Sequence, residues 1–138
     1  MFKGITFDYA GATVLVTGGT SGIGLACAQE YRHAGAEVII TGRKGSASDY
    51  DTDLMEMSYR QLDIANRDAL FALANSLTKL DILVNNAGGS QGNEWEPDAF
   101  DESISVNLSS VFHLSSACKP LLAESTLAGG ASVLLVPV

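Results

Sequence analysis

Gly18, Gly22 and Gly24 sit in the run Thr17-Gly18-Gly19-Thr20-Ser21-Gly22-Ile23-Gly24, whose residue types and spacing suit phosphate binding. An apolar, β-branched stretch at 12–17 comes before it, and a segment of helical periodicity follows. A strand-to-helix turn there aims the helix N-terminus beyond the edge of a sheet. The free backbone N–H groups and the helix dipole then favour an anion. Glycine is required because a Cβ would hold the backbone away from a pyrophosphate or clash with the packed helix. Glycines at a turn can also be merely structural, and it is the strand before and the helix after that favour a site. No Gly-Lys-Ser/Thr closes the run, which argues against a Walker-type phosphate loop.

Two further places could carry chemistry. Asn85-Asn86-Ala87-Gly88 follows an apolar run at 81–84, at the strand end where doubly wound sheets bind ligands. Asn107 falls three residues after Ile104 and four before Val111, inside an apolar helical stripe. It is therefore expected to be a buried amide. Such an amide needs partners, because leaving it unpaired costs roughly 1–3 kcal/mol.

The elements that must position these residues follow from periodicity. Residues 12–17, 37–41, 59–62, 81–84 and 132–136 read as short strands, the third of them weak. A helix is expected at 23–34, with Ile23, Cys27, Tyr31 and Ala34 on one face and Gly35 as its stop. Residues 44–57 read as loop, with Leu54 and Met55 in a possible short helix. Asn66 reads as the N-cap of a helix carrying Leu70, Leu73, Ala74 and Leu77. A long helix at 97–124 presents Phe100, Ile104, Leu108, Val111, Ser115, Cys118 and Leu122, with Pro120 kinking or loosening its last turns. Strands that are continuous apolar runs, with helices between them, predict an α/β fold: a doubly wound parallel sheet, covered on both faces. The 138 residues suit one domain, 1–138.

Composition narrows the partners. Net charge is -8, and eight Lys and Arg scattered along the chain form no basic patch, which argues against nucleic acid and anionic membranes. Acidic residues gather at Asp49, Asp51, Asp53 and Glu56, as in a solvated loop. Cys27 and Cys118 read as buried free thiols, and no metal-ligand spacing involves them or His33 and His113. No apolar run approaches the roughly 18 residues of a membrane span, and residues 1–6 lack a signal-peptide core. A cytoplasmic protein is expected.

The sequence resembles the short-chain dehydrogenase/reductase family. Thr17-Gly18-x-x-x-Gly22-Ile23-Gly24 looks like its cofactor signature, and Asn85-Asn86-Ala87-Gly88 looks like its second motif. Val106-Asn107-Leu108-Ser109-Ser110-Val111-Phe112 resembles the segment with its active-site asparagine. The resemblance implies a Rossmann-like sheet of order 3-2-1-4-5 and hydride exchange between a nicotinamide cofactor and a small alcohol or carbonyl substrate. Gly18, Thr20, Ser21, Gly22, Ile23 and Gly24 would hold the cofactor's pyrophosphate. Asn86, Ala87 and Gly88 would let the backbone approach the nicotinamide ribose. Asp63 would bond the adenine amino group, with Ile64 against the ring; the alternative is an ordinary strand-terminating Asp. Gly42, then Arg43 and Lys44, follow the second strand, where a carboxylate would mark NAD(H). The pattern implies NADP(H), with Arg43 on the 2′-phosphate, although NAD(H) is possible and both cations could simply be solvated. Asn107 would hold a water in the proton relay, as the one catalytic residue.

The family's serine and Tyr-x-x-x-Lys pair have no counterpart: the fifth strand leads into Val136-Pro137-Val138, and no tyrosine follows Tyr59. The chain therefore reads as truncated after the fifth strand, either an oxidoreductase without turnover or a non-catalytic dinucleotide-binding module. A remnant that binds nothing is a third reading. Phe100, Ile104, Val111 and Phe112 would lack cover, so a homo-oligomer or self-association through 97–124 is expected.

Overall fold

The computed structural model describes residues 4–136, so Pro137 and Val138 lie outside the described residues. The apolar runs form strands β1 (Thr13–Val16), β2 (Glu37–Gly42), β3 (Ser58–Gln61), β4 (Ile82–Asn85) and β5 (Ser132–Leu135). All pair in parallel, in the order β3-β2-β1-β4-β5. Val14, Leu15 and Val16 are fully buried because β1 is central and both of its faces are covered. Leu15 and Leu83 face one core layer with Leu70, Leu73 and Leu114. Val14, Val16, Ile40 and Val84 face the other, with Ala28 and Leu54.

Helix α1 (Gly22–His33) covers the second face, and α2 (Arg67–Ser76) with α4 (Ser110–Ala123) covers the first. The Asn66 side chain accepts from the Ala69 N–H at 3.1 Å, as expected of an N-cap. Gly35 ends α1 at φ +98°. The face of α1 differs from expectation. Gly24 and Ala28 are buried, whereas Ile23 is 61% exposed, because only small residues allow the helix close to the sheet. Cys27 is consequently half-buried, while Cys118 is buried. Between β2 and β3 the only helical turn is a 3₁₀ turn at Ala47–Asp49, and Leu54–Met57 is a turn rather than a helix.

The long helix is broken in phase. Helix α3 (Pro97–Ile104) passes through a π-turn (Ser105–Ser109) into α4, which runs past Pro120 to Ala123. A π-turn adds a residue to the turn, so no single 3.6-residue stripe describes both halves. Val106, Ser110, Leu114, Cys118 and Leu122 face inward, in steps of four, and the Ser110 hydroxyl donates to the Val106 carbonyl at 2.6 Å. Phe100, Ile104 and Leu108 of the expected stripe are exposed, and so is Phe112. Every residue of β5 is exposed, so its outer edge and apolar side chains lack cover among the described residues.

Candidate functional site

The carboxyl ends of β1, β2 and β4 and the turn after β3 meet at one cleft of about 570 Å³. Thr17 directly follows β1, and Thr41 stands one residue before the end of β2. The Thr41 hydroxyl accepts from the Gly18 N–H at 3.2 Å, and the Thr41 carbonyl accepts from Gly19 at 3.1 Å. The Thr17 hydroxyl accepts from the N–H groups of Asn86 at 3.1 Å and Ala87 at 3.0 Å. The Asn86 amide donates to the carbonyls of Thr17 and Gly18, both at 3.0 Å. The glycine turn and the Asn86 turn therefore brace each other.

The glycines explain how closely the two turns approach. A Cβ on Gly18, whose φ is +64°, would stand 2.9 Å from the Ala87 Cα. A Cβ on Gly24 would collide with the Asn86 amide and the Gly18 carbonyl. At Gly22, φ is +54° and nothing lies within 4 Å of a Cβ position, so the start of α1 faces open space. Ser21 is its N-cap but lends no side-chain oxygen, and the first turn holds no acidic residue. The first N–H groups of a helix have no partner within it, so this end presents donors and a positive dipole. Uncapped N–H donors at the start of α1, beside Ser21 and Gly18 in the cleft wall, suit a pyrophosphate.

The sequence-predicted residues divide into three groups. Gly18, Thr20, Ser21, Arg43, Asp63 and Ile64 line the cleft, as do Asn86, Ala87 and Gly88. Gly22, Ile23 and Gly24 do not: Gly24 is packed under Asn86, and Ile23 faces away from the core. Asn107 lines a second groove of about 870 Å³ with Leu108, Val111 and Leu135. Ala87, Gly89 and Ser90 line both.

Asn107 is exposed, not buried, because the π-turn rotates it out of the core. Its amide is nevertheless paired. The Asn107 oxygen accepts from the Gly89 N–H and its nitrogen donates to the Gly89 carbonyl, both at 2.9 Å. One further N–H and one lone pair of the amide remain free of these two bonds.

At the far end of the cleft, Lys44 folds back. Its ammonium donates to the Asp49 carbonyl at 2.9 Å and lies 4.8 Å from the Tyr50 ring centre. Arg43 is exposed and makes no ion pair among the described residues. Asp63 accepts from the Ala65 N–H at 3.0 Å, which shapes the turn beside Ile64. Burial raises the Tyr50 phenol, but hydrogen bonds with Tyr59, the Lys44 N–H and Thr20, together with the Lys44 charge, outweigh it and hold it below its ordinary value. Burial and the Tyr50 partner push Tyr59 well above the ordinary phenol range.

Sequence reasoning missed the bracing roles of Thr17 and Thr41, the pairing of Gly89, and Tyr50. A threonine at the last position of two expected strands, each before a glycine, was a legible signal. Tyr50 had none, since it lies in an aperiodic loop.

A doubly wound parallel sheet with a glycine cradle at its carboxyl edge defines a Rossmann-like α/β domain. Residues 12–133 match the short chain dehydrogenase family, and the chain belongs to that family. It is 31% identical over 123 residues to gluconate 5-dehydrogenase from Gluconobacter oxydans, covering 80% of this chain and 48% of that protein. It is 37% identical over 133 residues to the rhamnolipids biosynthesis 3-oxoacyl-[acyl-carrier-protein] reductase from Pseudomonas aeruginosa, covering 88% and 52%. Among solved structures, the Pseudomonas aeruginosa RhlG/NADP active-site complex superposes with a TM-score of 0.79 at 32% identity, covering 94% of this chain and 55% of that one. A short chain dehydrogenase from Escherichia coli complexed with NADPH gives 0.74 at 25% identity, covering 91% and 58%. The chain spans about half the length of the curated relatives it matches. No helix among the described residues is long and apolar enough to cross a membrane.

Proposed function

We propose that the chain binds NADP(H) as the cofactor half of an oxidoreductase acting between a small alcohol and its carbonyl compound. The observation that carries this reading is the cleft at the carboxyl edge, where Gly18, Asp63 and Asn86 meet with Arg43, which makes no ion pair among the described residues. The uncapped N–H groups of α1 would receive the pyrophosphate. Arg43 would pair with the 2′-phosphate, Asp63 would accept from the adenine amino group, and Ile64 would lie against the ring. The backbone at 86–88 would approach the nicotinamide ribose. When bound, the nicotinamide supplies hydride transfer. Asn107, with one N–H and one lone pair beyond its Gly89 bonds, would hold a water beside the second groove.

No residue of the 138 is assigned the proton transfer to substrate, since the family's Ser and Tyr-x-x-x-Lys groups have no counterpart among them. Binding without turnover is the expected behaviour of this chain alone. Titration calorimetry with NADPH and NADH tests the reading: NADPH should bind more tightly, and Arg43→Ala should erase roughly a tenfold preference, the scale of one charge-assisted pair. An unchanged ratio would refute the role of Arg43, and failure of both dinucleotides to bind would refute the site. Ketone-dependent NADPH oxidation by the pure chain would refute the absence of turnover.

Phe100, Ile104, Phe112 and Leu135 are exposed on the helix 97–123 and on β5, which supports self-association through that surface. A monomer by light scattering at micromolar concentration would count against it.

A further inference from the structure

Position 42 ends β2 at the place where a ribose-binding carboxylate would stand. Glycine there is not required by the backbone, because Gly42 is absent from the positive-φ residues. It is required by its neighbours. An added Cβ would collide with the Tyr50 hydroxyl, stand 3.0 Å from Tyr50 Cζ and stand 2.8 Å from the Thr20 methyl. Thr20 is itself hydrogen-bonded to the Tyr50 phenol and is held with it. Tyr50 is tethered: its oxygen accepts from the Lys44 N–H at 3.1 Å and lies 3.3 Å from the Tyr59 hydroxyl, while the Lys44 ammonium covers its ring. The Tyr59 hydroxyl also donates to the Lys44 carbonyl, so Tyr50, Tyr59 and Lys44 form one connected group.

We infer that Tyr50 is a specificity-determining residue: its phenol fills the space that a side chain at position 42 would need, which keeps a carboxylate out. It also holds Lys44 back over its ring, leaving Arg43 as the cation that faces the 2′ position of the adenosine ribose. The inference rests on the proposed dinucleotide site and adds a residue that acts through steric exclusion.

The test is a mutant cycle on the 138-residue chain, with Gly42→Asp, Tyr50→Ala and both together. Affinities for NADPH and NADH are measured by calorimetry, and folding by circular dichroism. Gly42→Asp alone should weaken both dinucleotides, because its carboxylate cannot seat beside Tyr50. The double variant should bind NADH roughly tenfold more tightly than the two single effects predict, since residues in contact couple strongly. Effects that simply add, or a switch to NADH in Gly42→Asp alone, would overturn the inference while leaving the dinucleotide site standing. If Gly42→Asp does not fold, the comparison passes to Tyr50→Ala and the double variant. The double variant must then favour NADH over NADPH by roughly tenfold more than Tyr50→Ala does, and an equal ratio would overturn the inference. A wild-type chain that binds neither dinucleotide would sink both the inference and the site on which it rests.

Discussion

At the amino end of the sheet, Asp81 is 1% exposed and its carboxylate is fully engaged. One oxygen accepts from the Thr13 N–H at 2.8 Å and the other from the Ser125 hydroxyl at 2.5 Å, with the Lys79 ammonium 3.5 Å away. At the carboxyl end, Thr17, Thr41 and Asn86 also make long-range contacts, side chain to backbone. The amino-end contacts close β1, β4 and the segment before β5 onto each other. The carboxyl-end contacts join loops at their bases and leave a cleft above them. Polar bracing therefore produces either a sealed end or an open one, depending on whether the braced segments continue away from the sheet or fold back across it.

Substitutions at the two ends should separate stability from binding. Asp81→Ala strands a buried N–H and a hydroxyl, so about 3 kcal/mol of stability should be lost in urea unfolding. The affinity of the folded chain for NADPH should stay within about twofold, inside the additivity expected of distant sites. A larger loss of affinity would show that the ends are coupled. Acid reads the same contact. Burial raises the Asp81 carboxyl, but the Ser125 and Thr13 hydrogen bonds and the Lys79 charge outweigh it and hold it below the usual carboxylate range. Its folded value is thus depressed, so its stabilisation is complete above the unfolded value near about 4 and is lost as pH falls through the folded value. The urea midpoint should drop in that window, and the drop should be smaller in Asp81→Asn.

Thr17→Val keeps the shape of the side chain and removes the acceptor of two N–H groups, so about 2 kcal/mol should be lost. Here NADPH affinity should fall as well, because the cradle loses its brace. Loss of stability with unaltered affinity would make the carboxyl end as purely structural as the other. Asn107→Ala should cost least, about 1 kcal/mol, since its contacts with Gly89 are exposed. Faster hydrogen exchange at the Gly89 amide is the specific sign, and unchanged exchange would deny the pairing in solution.

The doubly wound parallel sheet could be read from the sequence because its strands are short apolar runs with helical segments between them, whereas the order β3-β2-β1-β4-β5 was legible only through the family resemblance. The cleft-lining residues from Gly18 to Gly88 followed, since the topology brings those strand ends together. Helix faces were less legible. Ile23 was expected inside, yet Gly24 and Ala28 take that place, because closeness of packing rather than apolarity selected the face. Asn107 was expected in the core on a 3.6-residue period that the π-turn interrupts. Asp81 and Tyr50 carry no local signal, since their partners lie far away in sequence or within an aperiodic loop.

The pairing of Asn107 with Gly89 makes its amide equivalent to one more peptide unit, bonded through both its donor and its acceptor. It works as a rivet between the helix and the segment 87–90, the wall shared by the two grooves. A movement of the helix that preserves both bonds must carry Gly89 with it, and Gly89 lines both grooves.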